Sequence, residues 1–188
     1  MANNIPELKD QFLVQYILGE LVNKVCECEM VEQDSIEDME DYPFITFNWI
    51  NFDTPTTADW LGEHKQYTCT MQIDAHATKS YESASLAEKL FNALHEDVYR
   101  RFFKQANILP INISNTSNRT VLSGINYDQD YGFDCSFSII GGYVYQPSDL
   151  NFEVSDSVID SVRAKPNVIG SKINDDINVS KNDKEETN

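Results

Sequence analysis

The chain has 188 residues, 41% of them hydrophobic, with 10 Phe, 9 Tyr and 2 Trp, enough for one packed domain with extensions. Its 31 acidic and 14 basic residues give a formal net charge of −17. That field repels phosphate, which excludes binding of nucleic acid or anionic membrane by a basic surface; a channel wall past which DNA slides without sticking is the one nucleic-acid role the sign suits.

The opening stretch MANNIPELKDQF lacks a basic run followed by an apolar one. No segment approaches the roughly 20 apolar residues that span a bilayer. A protein made in the cytosol is therefore expected. Residues 7–28 read as a helix, because Leu8, Phe12, Leu13, Tyr16, Ile17, Leu21, Val25 and Cys28 recur at spacings of three and four. Residues 27–41 hold eight carboxylates and no Lys or Arg, the pattern of a solvated, self-repelling loop.

Residues 43–52, PFITFNWINF, form a first expected strand, with Ile45, Phe47 and Trp49 on one face and Pro43 at its start. Residues 53–64 are turn-rich and read as a loop. Residues 64–77 form a second, longer strand, in which Tyr67, Cys69, Met71, Ile73 and Ala75 alternate with polar neighbours. A second helix is expected over 83–105, with Ser85 and Glu88 as a capping box and Leu86, Leu90, Leu94, Val98 and Phe102 stepping by four. Residues 108–123 suggest a short strand and then a polar stretch.

The last strand starts near Tyr131. Tyr131, Phe133, Cys135, Phe137 and Ile139 fall on one side and Gly132, Asp134, Ser136 and Ser138 on the other. Its apolar side should pack under the leucines of the second helix, in one sheet with the 64–77 strand. It extends toward Tyr145, with a bulge or bend at Gly141-Gly142. Residues 146–188 carry nine acidic and five basic side chains and end in KNDKEETN, a composition that alone stays largely disordered. Yet Leu150, Phe152, Val154, Val158, Ile159 and Val162 are too apolar for full solvation, so the tail is expected to dock on a neighbour.

No catalytic constellation emerges. His64, His76 and His95 are the three histidines. The first two share the polar side of the second strand but lie about 40 Å apart along an extended chain, and His95 lies beside Glu96 and Asp97, so surface histidines are expected and no metal site. Asp128, Gln129, Asp130, Tyr131 and Gly132 echo the start of a calcium loop, with the glycine a position early and no closing Glu; a polar hairpin connection is expected there.

Cys26, Cys28, Cys69 and Cys135 contain no C-x-x-C pair and read as reduced thiols, the last two as small core residues. The N-x-S/T sequons at Asn112, Asn115, Asn118 and Asn178 read as polar loop. No G-x-S-x-G, P-loop or G-x-G-x-x-G occurs, and Arg100-Arg101 suits ion pairs within the chain or across an interface better than phosphate. No catalytic, cofactor-binding or metal residue is assigned, and no cofactor is expected.

The order of elements runs helix, acidic loop, FITFNWI strand, QYTCTMQIDAHA strand, SLAEKLFNALHEDVYRRF helix, then a polar stretch into NYDQDYGFDCSFSI. Over about residues 8–145 it resembles the neck or tail-terminator proteins of long-tailed bacteriophages, in particular the small terminator-like family of phages of Gram-positive hosts. The resemblance implies an α+β fold, with a mixed or antiparallel sheet of about four strands covered by two main helices. The composition shift after Tyr145 sets domain limits of 1–145 for the terminator-like body and 146–188 for an acidic arm, disordered or docked on a neighbour, and this tail and the acidic loop depart from the simple family pattern.

The resemblance further implies a structural virion protein of the neck and no enzyme. The chain would form a homohexameric ring that sits on the tail-tube protein, ends tube growth and meets a head-side connector, possibly also a sheath, with DNA as passing cargo. Six copies would carry about −102 formal charges, six times −17. The alternatives are a head-completion or stopper protein of the same neck, and an acidic DNA mimic that inhibits a host enzyme.

Overall fold

The computed structural model describes residues 7–38, 41–56, 64–120, 122–123, 126–127, 129–154, 161–164 and 177–180. Helix α1 runs Asp10–Cys26 and buries Leu13, Val14, Ile17, Leu18, Leu21 and Val22. It stops two residues short of expectation because Glu27 turns left-handed at φ 55° and returns its N–H to Asn23 O, an αL cap made without glycine.

The acidic stretch is more ordered than its charge suggested. Met30–Glu32 form strand β1, parallel to the next strand, and Gln33–Asp38 a 3₁₀ turn. Met30 and Val31 are half-buried against the sheet, and that contact outweighs local repulsion. Strand β2 covers Phe44–Pro55 and β3 covers Gln66–Ala77. They pair antiparallel, with register shifts after Trp49 and after Asn51. Part of the expected 53–64 loop is thus strand, and residues 57–63 lie outside the described ones.

The second helix is two helices. Helix α2 spans Ser80–His95 and α3 spans Asp97–Lys104, with Glu96 extended between them at ψ 131°. Helix α2 starts at Ser80, so Ser85 and Glu88 lie inside it and form no capping box. The break re-aims α3 so that Phe102 and Phe103 are both buried, which one straight stripe stepping by four would not allow.

Strands β4 (Ile108–Ile113) and β5 (Ser117–Asn118) follow. Strands β6 (Leu122–Ser123) and β7 (Asn126–Tyr127) pair as a small ladder. Strand β8 (Gln129–Ile140) pairs with β3 without interruption from Gln66↔Ile140 to Ala77↔Gln129. The sheet order is β1-β2-β3-β8-β4, with β5 also on β8, so the fold is α+β with three helices and a six-stranded mixed sheet.

The alternation of β3 and β8 places Tyr67, Cys69, Met71 and Ile73 on the same covered face as Phe133, Cys135, Phe137 and Ile139. Helices α2 and α3 close that face. Phe91 meets Phe133 edge-on at 5.8 Å, and Phe103 meets Phe137 at 5.6 Å. Strand β8 ends at Ile140, before Gly142 turns to φ 88°.

One compact unit comprises Met1–Val154. The start of the tail belongs to its core, contrary to the expectation that its apolar residues have no place there. Leu150 is buried, and Phe152 packs edge-on against Phe102 at 5.2 Å and near Tyr16 at 6.0 Å. The second unit, Ser155–Asn188, contains an antiparallel pair, β9 (Ser161–Ala164) with β10 (Ile177–Ser180). Val158 and Ile159 lie outside the described residues.

Candidate functional site

The face of the sheet away from the helices divides into two halves of different chemistry. At the Ala77–Gln129 end it is charged and closed. Asp74 is 3% exposed and lies opposite Gly132 in the β3–β8 register. Arg119 reaches over both strands, donating from Nη1 to Asp74 Oδ1 at 2.9 Å and from Nη2 to Asp134 Oδ1 at 2.8 Å. Gln72 Nε2 donates to the other oxygen of Asp74. The two carboxylates hold the Arg119 guanidinium above its ordinary pKa, although burial alone would lower it.

Backbone bonds fasten the segment that carries Arg119: Arg119 N to Asp130 O at 2.9 Å and Ser114 N to Asp134 O at 2.8 Å. Beside this clamp, His76 is buried. Its ring stacks on Phe44 with centroids 4.8 Å apart, and Nε2 lies 2.8 Å from Thr46 Oγ1. It is therefore a core histidine, contrary to the expected surface placement, with Phe44 and Thr46 of β2 packed on its ring.

The other half, toward the Gln66–Ile140 end, is open, and the β3 and β8 side chains on it are uncharged. Thr68, Thr70, Ser136 and Ser138 line it, with Thr70 Oγ1 2.9 Å from Ser136 Oγ. Leu109, Ile111 and Ile140 sit along its β4 side at 44, 53 and 36% exposure. On β2, beyond the first register shift, Ile50 and Phe52 are 55 and 57% exposed. Side chains of this size cost free energy in water and gain it under a partner.

The remaining sequence candidates are dispersed. His64 stacks on Tyr143 at 4.8 Å, and His95 lies on α2 with Nδ1 2.8 Å from Phe91 O. Gln129, Asp130, Tyr131 and Gly132 belong to β8 and form no hairpin tip, while Asp128 lies outside the described residues. Arg100 donates from Nη2 to Pro110 O at 3.0 Å. Among the described residues no group of three His, Cys, Asp or Glu is placed to hold a metal, and no helix is long and apolar enough to cross a membrane.

Sequence reasoning missed Arg119 and the role of Gly132. A glycine inside an alternating strand marks a close approach, and that signal was available. The composition of this surface, uncharged hydroxyls rimmed by exposed aliphatics and no catalytic group, is that of a docking face. A family model for phage neck terminator proteins matches residues 11–170. The chain belongs to the phage neck terminator family. No curated protein matches it.

As a neck terminator the chain is a structural protein of the virion, located in the neck and in contact with other tail and head proteins. The family is not an enzyme family.

Proposed function

We propose that this neck terminator forms a homohexameric ring on the last ring of tail-tube protein, ends tube elongation and offers its far side to the head-side connector, with DNA passing through the hole. The family match over residues 11–170 carries this reading. The net charge of −17 supports it, since a negative wall lets DNA move without sticking. The uncharged Thr/Ser half-face with Leu109 and Ile140 suits a dry contact with tube protein better than a contact with DNA.

The segment beyond Val154 serves as an arm on a neighbouring subunit. Leu150 and Phe152 anchor the residues before it in the core. The β9–β10 pair farther on has two strands, too few for independent stability.

Polymerising tail-tube protein with and without the chain tests the function, by light scattering and negative-stain imaging of the same samples. Tubes of limited length with a distinct ring at one end are expected. Tubes that grow at the same rate and bear no cap would refute it.

A further inference from the structure

The sheet leaves two strand edges, β1 on one side and β4 on the other. They carry opposite charge. Around β1, Glu27, Glu29, Glu32 and Asp34 are exposed. A cleft of about 410 Å³ opens there, lined by Gly19, Asn23, Glu27, Cys28, Glu29 and Met30. It lies at the C-terminal end of α1, where unpaired carbonyls add to the negative potential.

Beside β4 packs α3, which bears Arg100, Arg101 and Lys104 against a single acid, Asp97. These are three of the nine basic residues in 1–154. Strand β4 is a poor template for strand pairing, because it contains Pro110 and a register shift between Pro110 and Asn112. Its contact must run through side chains, and it exposes Leu109 and Ile111. Met30 and Val31, half-buried, are the apolar groups on the acidic edge.

We infer that the β4–α3 edge of one copy docks on the β1 edge of the next, with Arg101 and Lys104 facing the Glu27–Glu29 cleft and Ile111 facing Met30 and Val31. The contact joins two different surfaces, so it repeats head to tail, the kind of contact from which a ring is built when its rotation closes. An apolar centre with charges of opposite sign at its rim fixes the partner's register and speeds encounter. The inference rests on the ring reading above and names its subunit contact.

Native mass spectrometry of edge variants tests it. Arg101→Glu with Lys104→Glu reverses the basic edge, and Glu29→Lys with Glu32→Lys reverses the acidic edge. Each variant alone should need at least about tenfold higher concentration to assemble. Mixed in equal amounts, the two should reassemble into rings in which they alternate, since each edge of one variant meets an edge of opposite charge on the other. A chain with all four substitutions should regain rings.

Rings that form unchanged in either variant overturn the edge assignment and leave the ring reading standing. Failure of the four-substitution chain to reassemble, with a melt matching wild type, overturns it equally. A wild-type chain that stays monomeric even on tubes overturns the ring and the contact together. Where a double substitution lowers the melt, the single changes Lys104→Glu and Glu29→Lys replace it.

Discussion

A Cβ placed on Gly132 would lie 1.8 Å from Asp74 Oδ1 and 2.4 Å from Ile73 O. The missing side chain on β8 is what admits the Asp74 carboxylate between the strands, and Arg119 closes over it. One absent methyl group thus permits a buried anion, and one distant cation compensates it.

Gly132→Ala should therefore destabilise the fold by about 1–3 kcal/mol through forced displacement of Asp74. Arg119→Ala leaves that carboxylate buried with no cation and should cost about 3 kcal/mol, less whatever water reaches from Arg119's own exposed side. Urea denaturation measures both. The double variant should cost less than the sum, because each change breaks the same clamp; additive costs would separate Gly132 from the ion pairs.

The covered and open faces of β8 should respond differently to truncation. Phe137 is fully buried against Phe103, and Phe137→Ala should cost about 3–5 kcal/mol. Ser136 loses one hydroxyl contact with Thr70 on the open face, so Ser136→Ala should cost about 1 kcal/mol or less in the free chain. An unchanged melting temperature in Phe137→Ala would mean that the faces are reversed.

That facing was legible because β3 and β8 are each half-covered, so strict alternation records which side is core. The twelve paired residues of β3 and β8 both alternate cleanly, and their pairing in one sheet follows. Features decided by partners far along the chain were not legible. Strand β1 has three residues, too few for a period, and eight nearby carboxylates masked it. The break at Glu96 has no glycine or proline to mark it; burial of Phe102 and Phe103 sets it.

His76 reads as a surface residue on its own strand. Its ring packs on Phe44 and Thr46 of the neighbouring strand β2, which no local pattern encodes. The open half-face is legible as the polar side of two alternating strands, but its β4 rim, Leu109 and Ile111, lay in a stretch whose strand carries a proline and a register shift.

The four thiols should react very unequally. Cys69 and Cys135 are fully buried, and burial pushes both thiols up; Cys69 reaches about 12. Cys26 is raised first by its hydrogen bond with Cys28 and then by burial, while that same bond lowers Cys28, which is half-exposed at the acidic-edge cleft. Alkylation at pH 8 followed by peptide mass analysis should label Cys28 at least tenfold faster than the others, since the thiolate is the nucleophile. Faster labelling of Cys69 would mean that the sheet opens readily.

Alkaline stability follows from the same burial, with a definite sign. The Cys69 thiol titrates near 9 in an exposed chain and at about 12 in the fold. Above pH 9 the unfolded chain sheds this proton first, so the stabilisation is complete below pH 9 and is lost as pH rises toward 12. The slope is about 1.4 kcal/mol per pH unit for one thiol. Tyr67 adds to it from pH 10 upward, because burial and then the Asp10 carboxylate raise its phenol, whose OH donates to Asp10 Oδ1 at 3.1 Å. Urea midpoints between pH 8 and 10.5 should fall continuously in the wild type. Cys69→Ala should lower the whole curve by its cavity cost while flattening the segment just above pH 9. A segment as steep as that of the wild type would assign the alkaline loss to other groups.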